Sequence, residues 1–151
     1  MAHEDGPNGA DAAPDPSMIG APTDLEFGGV RFKLYYSDRG ATIRTYGRVD
    51  GDWIEMIRWD DFIDSPHYHV PEEGPQIPFD RASLGEPLAW YVAQIRDHLP
   101  EWIEKAGFAG VLPTIDMSVV SQNAERLSET LVAKMPEQYH RVPGVGLQRV
   151  G

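Results

Sequence analysis

Along residues 30–36, Val30, Phe32, Leu34 and Tyr36 alternate with Arg31, Lys33 and Tyr35. A repeat of two marks a half-buried strand, because successive side chains of an extended chain point to opposite faces. Ser37-Asp38-Arg39-Gly40 supplies turn chemistry, and residues 41–49, rich in Thr, Ile, Tyr and Val, read as the next strand. Asp50-Gly51 predicts a tight hairpin of type I′. Residues 52–59 form a third strand, with Ile54, Met56 and Arg58 on one face and Trp53, Glu55, Ile57 and Trp59 on the other. Both faces mix apolar and charged side chains, so alternation alone does not choose the buried one. An acidic loop over 60–66 follows, then a short β segment at 67–70 and a Pro- and Glu-containing loop at 71–75. Residues 76–80 read as an edge strand, since Pro75 and Pro78 exclude a central position.

From Glu86 the period changes. Leu88, Tyr91, Val92, Ile95, Leu99, Trp102, Ile103 and Ala106 fall at helical spacing, with Pro87 suited to the first turn and Gly107 to the position after the last. Pro100 predicts a kink or a second start within this helix. Asp116 is placed to cap a last helix carrying Val120, Ala124, Leu127 and Leu131, which Pro136 ends. Strands first and helices after is the α+β order. The expected fold is an antiparallel meander of three to five strands followed by two or three helices packed on one sheet face. Residues 1–24 lack aromatic residues and apolar periodicity, which predicts a disordered acidic tail. Residues 25–135 are then a single α+β domain and residues 136–151 a C-terminal tail.

Composition narrows the function classes. The 151 residues contain no cysteine, which excludes disulfides, thiolate-bound metal and thiol nucleophiles. The net charge of −11 disfavours phosphate backbones and anionic lipid as partners, so nucleic acid and membrane are not expected. Neither a basic leader nor an apolar one stands at the N-terminus, and the expected location is cytoplasmic. Arg31, Lys33, Arg39, Arg44, Arg48 and Arg58 cluster on the predicted strands, where a solvated sheet face is the plain expectation. Trp53, Trp59, Trp90 and Trp102 are expected in sheet–helix packing. His98 falls late in a helix, and His3 and His140 lie in the expected tails.

Candidate chemistry is concentrated in Trp59-Asp60-Asp61-Phe62-Ile63-Asp64-Ser65-Pro66-His67-Tyr68-His69. Two histidines two apart on a strand share a face, their bases about 6–7 Å apart. Imidazoles so placed converge on one divalent metal ion or act as an acid–base pair. Asp60, Asp61, Asp64 and Asp80 are the carboxylates at hand. The metal set is His67, His69 and Asp60; the catalytic set is His67 and His69 with Asp64 as an orienting carboxylate.

The run from Val49-Asp50-Gly51-Asp52-Trp53 through Arg58-Trp59-Asp60-Asp61-Phe62 to Pro66-His67-Tyr68-His69 resembles a family of small bacterial proteins without assigned activity. The resemblance continues through Asp80, Gly85-Glu86-Pro87-Leu88-Ala89-Trp90 and Leu99-Pro100-Glu101, and spans about residues 29–132. Val70 stands where such proteins often carry Tyr. Residues 30–70 also show a fainter likeness to toxins of the TumE type, which implies a ribonuclease-like site at His67 and His69. Two functions remain open. One is a small accessory protein that uses residues 1–24, residues 136–151 and its sheet surface to bind a protein partner. The other is a His/Asp-centred hydrolase or ribonuclease-like toxin at His67 and His69, working with a divalent metal or as a metal-free acid–base pair.

Overall fold

The computed structural model describes residues 15–151. Six strands follow one another in chain order: β1 (Met18–Phe27), β2 (Val30–Ser37), β3 (Gly40–Val49), β4 (Asp52–Phe62), β5 (His67–His69) and β6 (Gln76–Pro78). Each pairs antiparallel with the next, giving one meander sheet. After it come α1 (Arg81–Leu84), α2 (Pro87–Lys105), a 3₁₀ turn at Ala109–Thr114, α3 (Met117–Asn123) and α4 (Glu125–Ala133). The chain ends in a hairpin of β7 (Tyr139–Val142) and β8 (Gly146–Arg149). This is the expected α+β order, with one more strand than the longest expected meander and a divided last helix.

The additional strand is β1. It begins at Met18, inside the stretch expected to be a tail, and residues 1–14 lie outside the described residues. Its Gly and Pro hide any alternation, and its ladder to β2 shifts register between Ile19 and Thr23. Gly28 and Gly29 join the two strands with positive φ, and a Cβ on Gly29 would collide with the Thr114 carbonyl oxygen. Asp50 and Gly51 both have positive φ, as the predicted hairpin requires.

The helices cover one sheet face. Val30, Phe32, Leu34 and Tyr36 of β2, Ala41 and Ile43 of β3, and Ile57 and Trp59 of β4 meet Leu88, Tyr91, Val92, Ile95, Leu99 and Ile103 of α2. Glu86 caps α2 by accepting from the Leu88 and Ala89 amides. His98 departs from helical geometry just before Pro100, where the proline removes a donor and bends the helix. Asp116 caps α3 as expected; α4 follows it through Ala124, which keeps helical φ and ψ.

The undecided face of β4 has a structural explanation. Thr45 pairs with Ile57 but Tyr46 pairs with Glu55, so Met56 is an extra residue at a bulge. The bulge sends Met56, Ile57 and Trp59 together into the core and leaves Glu55, Arg58 and Asp60 on the opposite face. No single alternation runs through the strand.

That opposite face is not the solvated surface expected from its arginines. Lys33, Arg44, Glu55, Asp60, Tyr35 and Tyr46 are buried. Arg44 Nη1 donates to Glu55 Oε1 at 2.8 Å, and Lys33 Nζ stands 3.3 Å from Asp24. Residues 136–151 also differ from the expected tail. Tyr139 and Leu147 are buried in the core, and the Tyr139 hydroxyl donates to the Ser37 carbonyl at 2.6 Å. Only two of the apolar side chains in this Gly- and Pro-rich stretch are buried, too few to show a period, yet they anchor the hairpin.

Candidate metal centre

The site forms where β5 pairs with the end of β4, with Asp60 opposite His67 and Arg58 opposite His69. Because β5 is extended, His67 and His69 point to the same face, their ring centroids 5.0 Å apart and nearly perpendicular. Both rings meet Asp60. Its Oδ2 lies 3.1 Å from His67 Nε2 and 3.8 Å from His69 Nε2. One ligand atom from each of the three residues falls within 4.8 Å of the others.

The outer partners orient these atoms. His67 Nδ1 faces the Ser65 carbonyl at 2.8 Å and His69 Nδ1 faces the Gly74 carbonyl at 2.9 Å. A carbonyl only accepts, so each Nδ1 carries a proton. In a neutral ring, Nε2 is then a bare lone pair. Thr42, opposite Asp60 in the β3–β4 register, donates its hydroxyl to Asp60 Oδ1 at 2.7 Å. The second carboxylate oxygen therefore remains for the histidines. Two lone pairs and a carboxylate oxygen converge, and they repel unless a cation sits among them.

Burial pushes the His67 pKa down, but hydrogen bonds to Asp60 and Ser65 and the Asp60 charge outweigh it and raise the pKa. A divalent metal among them would find one ligand atom from each of the three residues within reach. Two imidazoles and one carboxylate would leave coordination positions open, as in catalytic rather than closed structural sites.

Asp60, His67 and His69 line a cleft of about 190 Å³ together with Asp15, Tyr35, Arg39, Thr42, Arg58, Phe62 and Gln76. From the helix side, the Tyr91 hydroxyl lies 2.9 Å from the Asp60 carbonyl and 3.1 Å from that of His67. A residue of α2 thus braces the two strand positions that bear the ligands.

The other candidate carboxylates lie elsewhere. Asp64 is not brought to the histidines: its side chain is 81% exposed and stands 3.4 Å from Arg149. Asp61 turns to the opposite face, where Arg141 donates to it at 2.9 Å. Asp80 caps α1, accepting from the Ala82 amide and the Ser83 hydroxyl. Thr42, Tyr35 and Gly74 were not legible as site residues. Thr42 and Tyr35 reach the site through strand register, and Gly74 contributes only main chain.

No helix among the described residues is long and apolar enough to cross a membrane. No curated protein and no solved structure matches the chain. A family model described as a domain of unknown function, DUF7700, matches residues 22–131, most of the sheet and the helices on it, and the chain belongs to that family.

Proposed function

We propose that this chain is a metal-dependent hydrolase of small molecules, with one divalent ion held by Asp60, His67 and His69. One observation carries the reading: both Nε2 atoms face one carboxylate oxygen while both Nδ1 atoms are tied to main-chain carbonyls. Such outer hydrogen bonds fix the tautomer a metal ligand needs. Exposed or purely structural histidines have no need for two matched tautomers. Open coordination toward a cleft favours a catalytic ion, which lowers the pKa of bound water and supplies hydroxide near neutral pH. Zn, Fe, Mn and Co in their divalent states all accept this ligand set.

The accessory reading has less support. Residues 139–149 engage their own chain, which removes the motive for assigning them to a partner, and residues 1–14 lie outside the described residues. A ribonuclease-like role is disfavoured by the net charge of −11, which opposes approach of a long polyanion.

The test is elemental analysis after exposure to each metal and dialysis, followed by a screen of activated carboxylic, phosphate and sulfate esters. Near-stoichiometric retention, lost in the His67→Ala/His69→Ala variant, and ester hydrolysis that requires the metal are expected. Absence of retention overturns the metal reading. Retention without hydrolysis overturns the hydrolase reading and leaves a metal-binding protein.

A further inference from the structure

We infer that the cleft beside the metal centre takes a small molecule bearing a tetrahedral oxyanion, of the phosphate monoester class, with metal and anion bound in that order. The inference rests on the proposed metal site and extends it to the substrate.

Cleft charges set the order. Arg39 is paired with Asp15, and Arg58 with Glu55 and Glu72, so without a metal both guanidinium charges of the cleft are already met by carboxylates. A divalent ion tips that balance positive inside a protein whose overall charge is −11. The local field then draws a small anion, while the global field repels a long one. The volume of about 190 Å³ sets the same limit on size.

Donor geometry sets the shape. Arg58 directs Nε and Nη2 to Glu55 and Glu72, at 3.2 and 2.9 Å, so it does not offer the cleft that planar fork. Arg39, on the β2–β3 turn, lies over the Phe62 ring at 4.7 Å and gives Nη2 to Asp15 at 2.8 Å, which holds an otherwise exposed side chain in place. The Tyr35 oxygen accepts from Arg44 Nε at 3.0 Å, and its own proton is left to donate elsewhere. Single donors from β2, the β2–β3 turn and β4 thus surround the open side of the metal. A planar carboxylate is best read by one bidentate guanidinium. Separate donors plus a metal suit oxygens arranged in a tetrahedron.

The experiment uses the full chain loaded with Co(II), whose visible absorption reports its ligands. Inorganic phosphate and, separately, acetate are titrated by visible absorption into loaded wild type, Arg39→Gln, Arg58→Gln and the helix-face control Arg96→Gln, and by isothermal titration calorimetry into metal-free wild type. Expected are a saturable spectral change with phosphate and at least tenfold weaker binding of acetate. At least tenfold weaker phosphate binding by Arg39→Gln and Arg58→Gln is also expected, with Arg96→Gln unchanged and the metal-free protein silent. Arg58 neutralises buried carboxylates, so if that variant does not fold, Arg39→Gln, at an exposed position, decides alone. Cobalt binding with no response to phosphate, equal acetate binding, phosphate binding without metal, or wild-type affinity in Arg39→Gln overturns the inference and leaves the metal site standing. Failure of cobalt to bind overturns both.

Discussion

Thr42→Val exchanges a hydroxyl for a methyl group of nearly the same volume. Thr42 and Asp60 are both buried, and the hydroxyl donates at 2.7 Å to the carboxylate oxygen that faces away from the histidines. A hydrogen bond to a charged group contributes about 1.5–3 kcal/mol, and its loss leaves a buried acceptor unpaired. For a chain of this length, each kcal/mol lowers Tm by about 2–4 °C. The metal-free variant is therefore expected to melt roughly 3–12 °C below wild type. Metal binding should change as well. Loss of an outer-shell hydrogen bond weakens affinity by about 10–100-fold. At free metal 100 times the wild-type Kd, wild type gains about 2.7 kcal/mol of stability, whereas a tenfold weaker variant gains only about 1.4 kcal/mol. Urea unfolding with and without buffered metal measures both effects. A variant that loses stability but keeps the full metal increment would show that Thr42 supports the fold and not the ligand. A variant unchanged in both would refute the placement of the hydroxyl on Asp60.

Three further outcomes follow from the packing. Tyr91→Phe removes the hydroxyl that braces the Asp60 and His67 carbonyls; about 1–2 kcal/mol of stability is lost in denaturant titration, with metal stoichiometry retained. Leu147→Ala is expected to cost about 2–4 kcal/mol, because Leu147 is fully buried; an unanchored tail would show no change in melting. Arg44→Met leaves the Glu55 carboxylate without its closest cation and should cost about 3–5 kcal/mol at pH 7. Burial already raises the Glu55 pKa against the pull of Arg44 and Arg58, so the folded state takes up this proton at higher pH than the unfolded chain. The penalty is full above the folded pKa and fades as pH falls through it toward the unfolded value. The Arg44→Met defect should therefore shrink between neutral pH and about pH 4 in pH-dependent denaturation, and a defect constant across that range would contradict the assignment.

Legibility in the sequence followed the range of the forces involved. β2, the Asp50-Gly51 turn and the apolar stripe of α2 are local patterns and were read directly. The buried face of β4 was not, because the bulge at Met56 is fixed by pairing with β3 and leaves no mark in the alternation. Most of β1 and all of the β7–β8 hairpin fall where the sequence predicts tails, since their order comes from ladder hydrogen bonds and a few anchors such as Tyr139 and Leu147. At the site, the strand period placed His67 and His69 on one face. Asp60 stands in the metal set from the sequence alone; its place opposite His67 comes from the β4–β5 register, and that of Thr42 opposite Asp60 from β3–β4. The arginine-rich face reads as solvated in the sequence because the acids that neutralise it, Asp24 and Glu55, lie on other strands or beyond the bulge.

The most direct test of the metal centre is X-ray absorption spectroscopy of the zinc-loaded full chain. A first shell of nitrogen and oxygen only is expected, at about 2.0–2.1 Å, with the multiple-scattering signature of two imidazoles. Asp60→Asn should weaken binding without removing either imidazole, and His67→Ala should leave one. A shell of oxygens without imidazole, or one unaltered in His67→Ala, would contradict the proposed metal centre.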